Sequence, residues 1–196
     1  MRSADIHRKT AETDINIALN VDGTGISTVD TGIPFFDHML TLFARHGLFD
    51  LNVKAIGDIE IDCHHTVEDT GIVLGQCFAE SLGEKRGITR YGIAYLPMDE
   101  TLSRVVVDFS GRAFLQYGAP VNVDAINKGF TFQLVEEFFR AFTHNAAINL
   151  HAEVLYGRDG HHMAESLFKG LARAIDAATT IDPRRGDTIP STKESL

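Results

Sequence analysis

Apolar and polar residues alternate over residues 13–20 (TDINIALN), the period of a strand with one buried face. Residues 101–109 (TLSRVVVDF) suit a strand as well, with a longer apolar run. Asp22-Gly23 and Ser110-Gly111 follow these segments as turn pairs that predict hairpins, with second short strands near 25–30 and 112–117. Helical spacing takes over at about 36–46 and 131–147, and Gly47 is the expected C-cap of the first of these helices. Third strands are expected at Leu51–Ile56 and Ile148–Leu155, and closing helices at about 65–83 and 162–179. The pattern is a β-β-α-β-α unit used twice, an α+β fold with helices packed on one face of the sheets. A further hairpin-like segment, 91–97, precedes the second unit.

The two units also share residues. His64-His65-Thr66-Val67-Glu68 and His161-His162-Met163-Ala164-Glu165 lie 97 positions apart, and Glu12-Thr13 and Glu100-Thr101 lie 88 apart. Phe43-Ala44-Arg45-His46 matches Phe142-Thr143-His144 if His46 and His144 correspond, an offset of 98. The same blocks in the same order predict an internal duplication, with halves of about 1–90 and 91–186 and a tail of 187–196.

Composition narrows the function classes. A net charge of −9 disfavours nucleic acid, which needs a broad basic surface. No apolar run approaches the ~20 residues of a membrane span, and the polar start MRSADIHRKT lacks a secretory signal's apolar stretch. Cys63 and Cys77 form no C-x-x-C pattern, so a reduced, cytoplasmic setting is expected.

Nine histidines change the picture more. At a helix start, His64 and Glu68 sit four apart on one face, as do His161 and Glu165. Adjacent histidines diverge by about 100° on a helix, so each pair is suited to serve two ions, or an ion and a substrate. Imidazole with carboxylate suits Mn, Fe, Co, Ni or Zn better than Mg or Ca. His46 and His144, at the ends of the preceding helices, are the candidate third imidazoles. That makes a pool of six histidines (His46, His64, His65, His144, His161, His162) and two glutamates (Glu68, Glu165). Three histidines and one glutamate per ion leave positions open for chemistry. A hydrolase and a metal-storage protein remain alternatives at this point. Taken singly, Glu12, Arg90, Arg112, Lys169, Arg173 and Lys193 are common surface charges, although Ser191-Thr192-Lys193 near the chain end could cradle a phosphate.

In order, Phe36-Asp37-His38-Met39-Leu40, Asp62-Cys63-His64-His65-Thr66-Val67-Glu68-Asp69, Pro97-Met98-Asp99-Glu100, Asp108-Phe109-Ser110-Gly111-Arg112 and Gly160-His161-His162-Met163-Ala164-Glu165-Ser166-Leu167-Phe168-Lys169 resemble the imidazoleglycerol-phosphate dehydratase family of histidine biosynthesis. Glu194 departs from it, since a Gly after the Lys is more usual there. The resemblance implies a duplicated fold like domain 2 of ribosomal protein S5. It implies elimination of water from D-erythro-imidazole-glycerol phosphate to imidazole-acetol phosphate, through a metal-stabilised imidazolate intermediate. Two Mn²⁺ per active site would be held by His46, His64, His65, Glu68, His144, His161, His162 and Glu165. Glu12 would be the acid/base, with Glu68 and Glu165 also counted catalytic. Arg90, Arg112, Ser191 and Lys193 would bind the phosphate. His38 and Lys169 would lie beside the substrate, which Glu12 and the ligands His46, His64, His65 and Glu68 would also touch. The family's active sites form at subunit junctions, so self-association into a 24-mer is expected.

Overall fold

The computed structural model describes residues 2–120, 125–127 and 129–196. The first half runs β1 (Ser3–Lys9), β2 (Thr13–Asn20), β3 (Ser27–Asp30), α1 (Pro34–Gly47), β4 (Asp50–Gly57) and α2 (His64–Leu82). The second runs β5 (Tyr91–Met98), β6 (Thr101–Asp108), β7 (Phe114–Gly118), a small hairpin of β8 (Ala125–Asn127) and β9 (Phe130–Thr131), α3 (Gln133–Ala146), β10 (Asn149–Tyr156) and α4 (Gly160–Thr179). Each half makes one four-stranded sheet of the same order, β1-β2-β4-β3 and β5-β6-β10-β7. The repeating unit is therefore β-β-β-α-β-α, one strand longer than the sequence pattern predicts. The segment expected to stand outside the unit, 91–97, is β5, the counterpart of β1.

The expected hairpins do not form. β4 inserts between β2 and β3, antiparallel to the first and parallel to the second. A parallel partner needs a crossover, which α1 supplies. The loop after β2 is instead held across the start of β4, where the Asp50 carboxylate accepts the N–H groups of Thr24 (2.8 Å) and Ile26 (3.1 Å). Those backbone donors hold Asp50 below the usual carboxylate range. Its counterpart Asn149 does the same work after β6, donating from Nδ2 to the Arg112 carbonyl at 2.7 Å.

The α1 helix starts at Pro34, suited to a first turn because its missing N–H costs no helical bond there. Gly47 is its last helical residue, and Leu48 takes the left-handed cap at φ 59°. Gly47 is needed for space, since a Cβ there would lie 2.2 Å from the Phe49 ring. Ala147 caps α3 in the same left-handed conformation, φ 51°. The helix starts (34 and 133), the caps (48 and 147) and the following strands (50 and 149) are all 99 positions apart.

Each sheet buries one face under helices. Thr13, Ile15, Ile17 and Leu19 of β2 point inward, between outward-facing neighbours. The α2 helix covers β1 and β2, α4 covers β5 and β6, and the halves meet where α2 packs on α3 and α1 on α4. Aromatic rings fill that seam, including Phe43, Phe78, Phe138 and Phe142. Phe43 and Phe142 are repeat counterparts at the 99-residue offset, and their ring centroids are 6.4 Å apart. Contact between equivalent residues places the pseudo-symmetry of the duplication at this point. Among the described residues, no helix is long and apolar enough to cross a membrane.

The α2–α3 contact is close enough to be tested. A Cβ on Gly75 would lie 2.6 Å from the Phe142 carbonyl oxygen and 2.9 Å from the Ala146 nitrogen. Gly75→Ala should gain about 1 kcal/mol of helix propensity and lose about 1–3 kcal/mol by forcing the backbones apart. A lower midpoint in thermal denaturation is expected, and a raised one contradicts the packing.

Candidate active site

The two His-His pairs stand at helix starts built alike. Asp62 accepts the His64 N–H at 2.7 Å, and Asp159 accepts those of His161 (2.8 Å) and His162 (3.3 Å). Both aspartates satisfy orphan first-turn donors, and they are 97 positions apart, like the histidines they precede. The rings match too: His64 and His65 have centroids 6.0 Å apart at 84°, and His161 and His162 6.1 Å apart at 83°.

In each pair the first imidazole turns its Nε2 toward the glutamate one turn on. His64 Nε2 lies 3.6 Å from Glu68, and His161 Nε2 lies 3.1 Å from Glu165. The second imidazole turns its Nδ1 to a carboxylate from outside the helix. His65 meets Asp58 at 3.0 and 3.2 Å, and His162 meets Glu100 at 2.7 Å. These bonds raise the affinity of both imidazoles for a proton, with Glu12 adding to the field at His65. Glu100 is held far below the usual carboxylate range, by His162 first and then by the N–H groups of Asp159 and Arg158.

The second cluster gains a third imidazole from α1. His38 Nε2 lies 3.6 Å from Glu165, and one donor atom from each of His38, His161 and Glu165 fall within 4.8 Å of one another. Glu165 is buried, 6% exposed. Burial pushes its pKa up, but Lys169, bonded to its other oxygen, and His161 outweigh that, and the net direction is down. A buried carboxylate and two imidazole nitrogens, all within 4.8 Å of one another, are a donor set that fits a divalent transition metal.

His46 and His144 do not join the pairs. The 99-residue offset of their helices sets His46 opposite Asn145 and His144 opposite Arg45, so their apparent match at 98 is out of register. His46 faces Lys169 and Arg173, and burial, then those two cations, lowers its proton affinity. His144 is exposed. Among the described residues, no side-chain hydrogen bond or ion pair ties either one to a His-His pair. The third imidazole of the second cluster is His38, early in α1, which the family resemblance places beside the substrate and not among the metal ligands. At the same offset Glu137 takes its place in α3.

Glu12 precedes β2, exposed, near enough to His65 to act on its charge. Arg90 is fixed: Nε and Nη2 bond Asp108 at 2.7 and 3.2 Å, and Nη1 donates to the Pro190 carbonyl at 2.8 Å. That last bond draws the tail over it, with Ser191 next in line. The chain end, Leu196, packs on Gly111 beside Arg112. Lys193 is exposed, its N–H on the Ser191 hydroxyl at 3.1 Å. The structure thus sets Arg90, Arg112, Ser191 and Lys193 along one tail, while Lys169 alone of the cations touches a His-His cluster. Asp58 and Glu100 were not among the expected site residues, although the repeat pairs Glu100 with Glu12. Among the described residues, no hydrogen bond, ion pair or ring contact links the two clusters within one chain.

Residues 31–175 match the family model described as imidazoleglycerol-phosphate dehydratase. The chain is similar over its whole length to imidazoleglycerol-phosphate dehydratases of Methylorubrum extorquens (56% identical, 100% of both chains) and Akkermansia muciniphila (57%, 100% of both). It is similar in structure to the enzyme of Staphylococcus aureus, with 40% identity, TM-score 0.83, and 92% of this chain and 99% of that one covered. The enzyme of Pyrococcus furiosus in complex with (S)-C348 has 34% identity, TM-score 0.83, and coverage of 97% and 100%. With the duplicated His-His-x-x-Glu helices on the same fold, these likenesses establish that the chain belongs to the imidazoleglycerol-phosphate dehydratase family, the hydro-lyases of histidine biosynthesis.

Proposed function

We propose that the chain dehydrates D-erythro-imidazole-glycerol phosphate to imidazole-acetol phosphate with two Mn²⁺ per active site. The observation that carries the metal reading is the convergence of one donor atom each from His38, His161 and Glu165 to within 4.8 Å of one another. His162 beside them and His64, His65 and Glu68 on the other helix start complete the proposed donor set. When bound, the ions would favour loss of the ring N–H proton from the substrate's imidazole, leaving an electron-rich ring that could push hydroxide from the adjacent carbon.

The chain's own groups do the rest. Glu12 carries the proton removed from carbon, because it is exposed and its side chain is uncommitted among the described residues. Lys169 keeps Glu165 ionised and turned toward the imidazoles. Arg90, held by Asp108 and Pro190, keeps two N–H groups free for a phosphate, with Arg112, Ser191 and Lys193 closing around it.

Because no hydrogen bond, ion pair or ring contact joins the two clusters among the described residues of one chain, a complete site is proposed to draw on neighbouring subunits of a 24-mer. The outer face of the second sheet supports self-association, since Tyr91, Ile93, Tyr95 and Phe114 are each more than half exposed. The proposed partner is a small phosphorylated imidazole and not nucleic acid or membrane. The proposed compartment is the cytoplasm, where Cys63 and Cys77 would remain free thiols.

Removing metal with a chelator should abolish dehydration, and Mn²⁺ alone should restore it. Full activity at verified metal loss would contradict metal dependence. Glu12→Gln should lower kcat by about 10²–10⁴-fold while Mn²⁺ content stays at the wild-type level. A near-normal rate removes Glu12 from the reaction.

A further inference from the structure

The geometry points to Glu100 and Asp58 as positioning residues that set which ring nitrogen of His162 and His65 faces the metal opening. This inference rests on the metal reading above. Each carboxylate takes the Nδ1 side of its imidazole. A carboxylate only accepts, so Nδ1 carries the proton and Nε2 keeps its lone pair. For His162 the nearest carboxylate on the Nε2 side is Asp99, at 3.9 Å and so beyond hydrogen-bond reach. His64 and His161 already aim Nε2 at their glutamates. An ion seated between each first imidazole and its glutamate would replace the proton there, so that all four imidazoles would meet the ions through Nε2.

The two positioning groups come from different places in the repeat. Glu100 sits on the β5–β6 turn at the position where the first half has Glu12, and Asp58 sits on the β4–α2 loop. One ancestral glutamate position has thus divided its work: Glu12 remains free, and Glu100 is bound on both oxygens. Glu100 Oε1 accepts the N–H groups of Asp159 (2.9 Å) and Arg158 (3.1 Å) and the Thr101 hydroxyl (3.1 Å), while Oε2 accepts from His162. Both oxygens of Asp58 face His65 alone among the described side chains.

That difference yields opposite orders of severity. In Glu100→Gln, three donors demand the amide oxygen at the Oε1 position, which turns the NH₂ group onto His162 Nδ1. Nδ1 must then accept, the proton moves to Nε2, and His162 cannot bind metal through that atom. Glu100→Ala only frees the ring to choose. At Asp58, Asn can turn its single oxygen to His65, whereas Ala has none.

The test is Mn²⁺ binding to the assembled protein, free Mn²⁺ being followed by electron paramagnetic resonance. Losing such an outer partner costs about 10–100-fold in metal affinity. Glu100→Gln is expected near the upper end and Glu100→Ala near the lower. Asp58→Ala is expected to lose more than Asp58→Asn. General loosening of the fold would not reverse the order between the two positions, and the Asp58 pair remains decisive if a Glu100 variant fails to fold. Wild-type protein with two ions and Glu100→Gln binding them equally well overturns the positioning role alone, as does Asp58→Asn losing more than Asp58→Ala. Wild-type protein that takes up no Mn²⁺ overturns the metal reading and this inference with it.

Discussion

Two aspartate side chains capping two helix starts are the constraint on which the site depends. Asp62 and Asp159 accept first-turn N–H groups where α2 and α4 begin, at His64 in the first case and one residue before His161 in the second. Once the helix starts there, its twist separates the adjacent rings, and both pairs settle at nearly the same ring-to-ring geometry. The glutamate one turn on then faces the first ring, and the second ring is left to a carboxylate from a loop. Little freedom remains for the imidazoles before any ligand arrives, the preorganisation that the proposed metal-assisted elimination would need.

The duplication extends this local rule to the whole chain. Equal sheet orders, equal left-handed caps at Leu48 and Ala147, and the Phe43–Phe142 contact show two copies of one unit packed helix layer to helix layer. Apart from the β8–β9 hairpin, which only the second half carries, the halves also differ at their His-His ends. Where one half presents Glu12 unpartnered, the other binds Glu100 on both oxygens, and where α1 supplies His38, α3 carries Glu137. Copies with the same scaffold and different edges suit a reaction in which an ion, a proton carrier and a phosphate must each be met by a different group.

Much of this was legible in the chain. The alternation of β2, the helices and the His-His-x-x-Glu blocks follow from residue spacing, because those contacts are local. The β1 strand was not, since SADIHRK offers only Ala4 and Ile6 as apolar residues, as befits a polar edge strand. The turn pairs after β2 and β6 suggested neighbours that the sheets do not pair, because the buried central strand, β4 or β10, comes from beyond a helix. The match of His46 with His144 failed by one residue, which on a helix is about 100°. The contacts of Asp58 and Glu100, and the place of His38 beside Glu165, were hidden for another reason: their partners are distant in sequence or on different elements, as with Glu100 and His162, 62 residues apart.

The central claim, that the duplicated helix starts hold two ions, is tested most directly by crystals grown with Mn²⁺ and an anomalous difference map at the manganese edge. The account predicts two peaks per chain, one of them bounded by His38, His161 and Glu165 and the other drawing on His64 and Glu68. A single peak per chain, or peaks away from both His-His pairs, would contradict it.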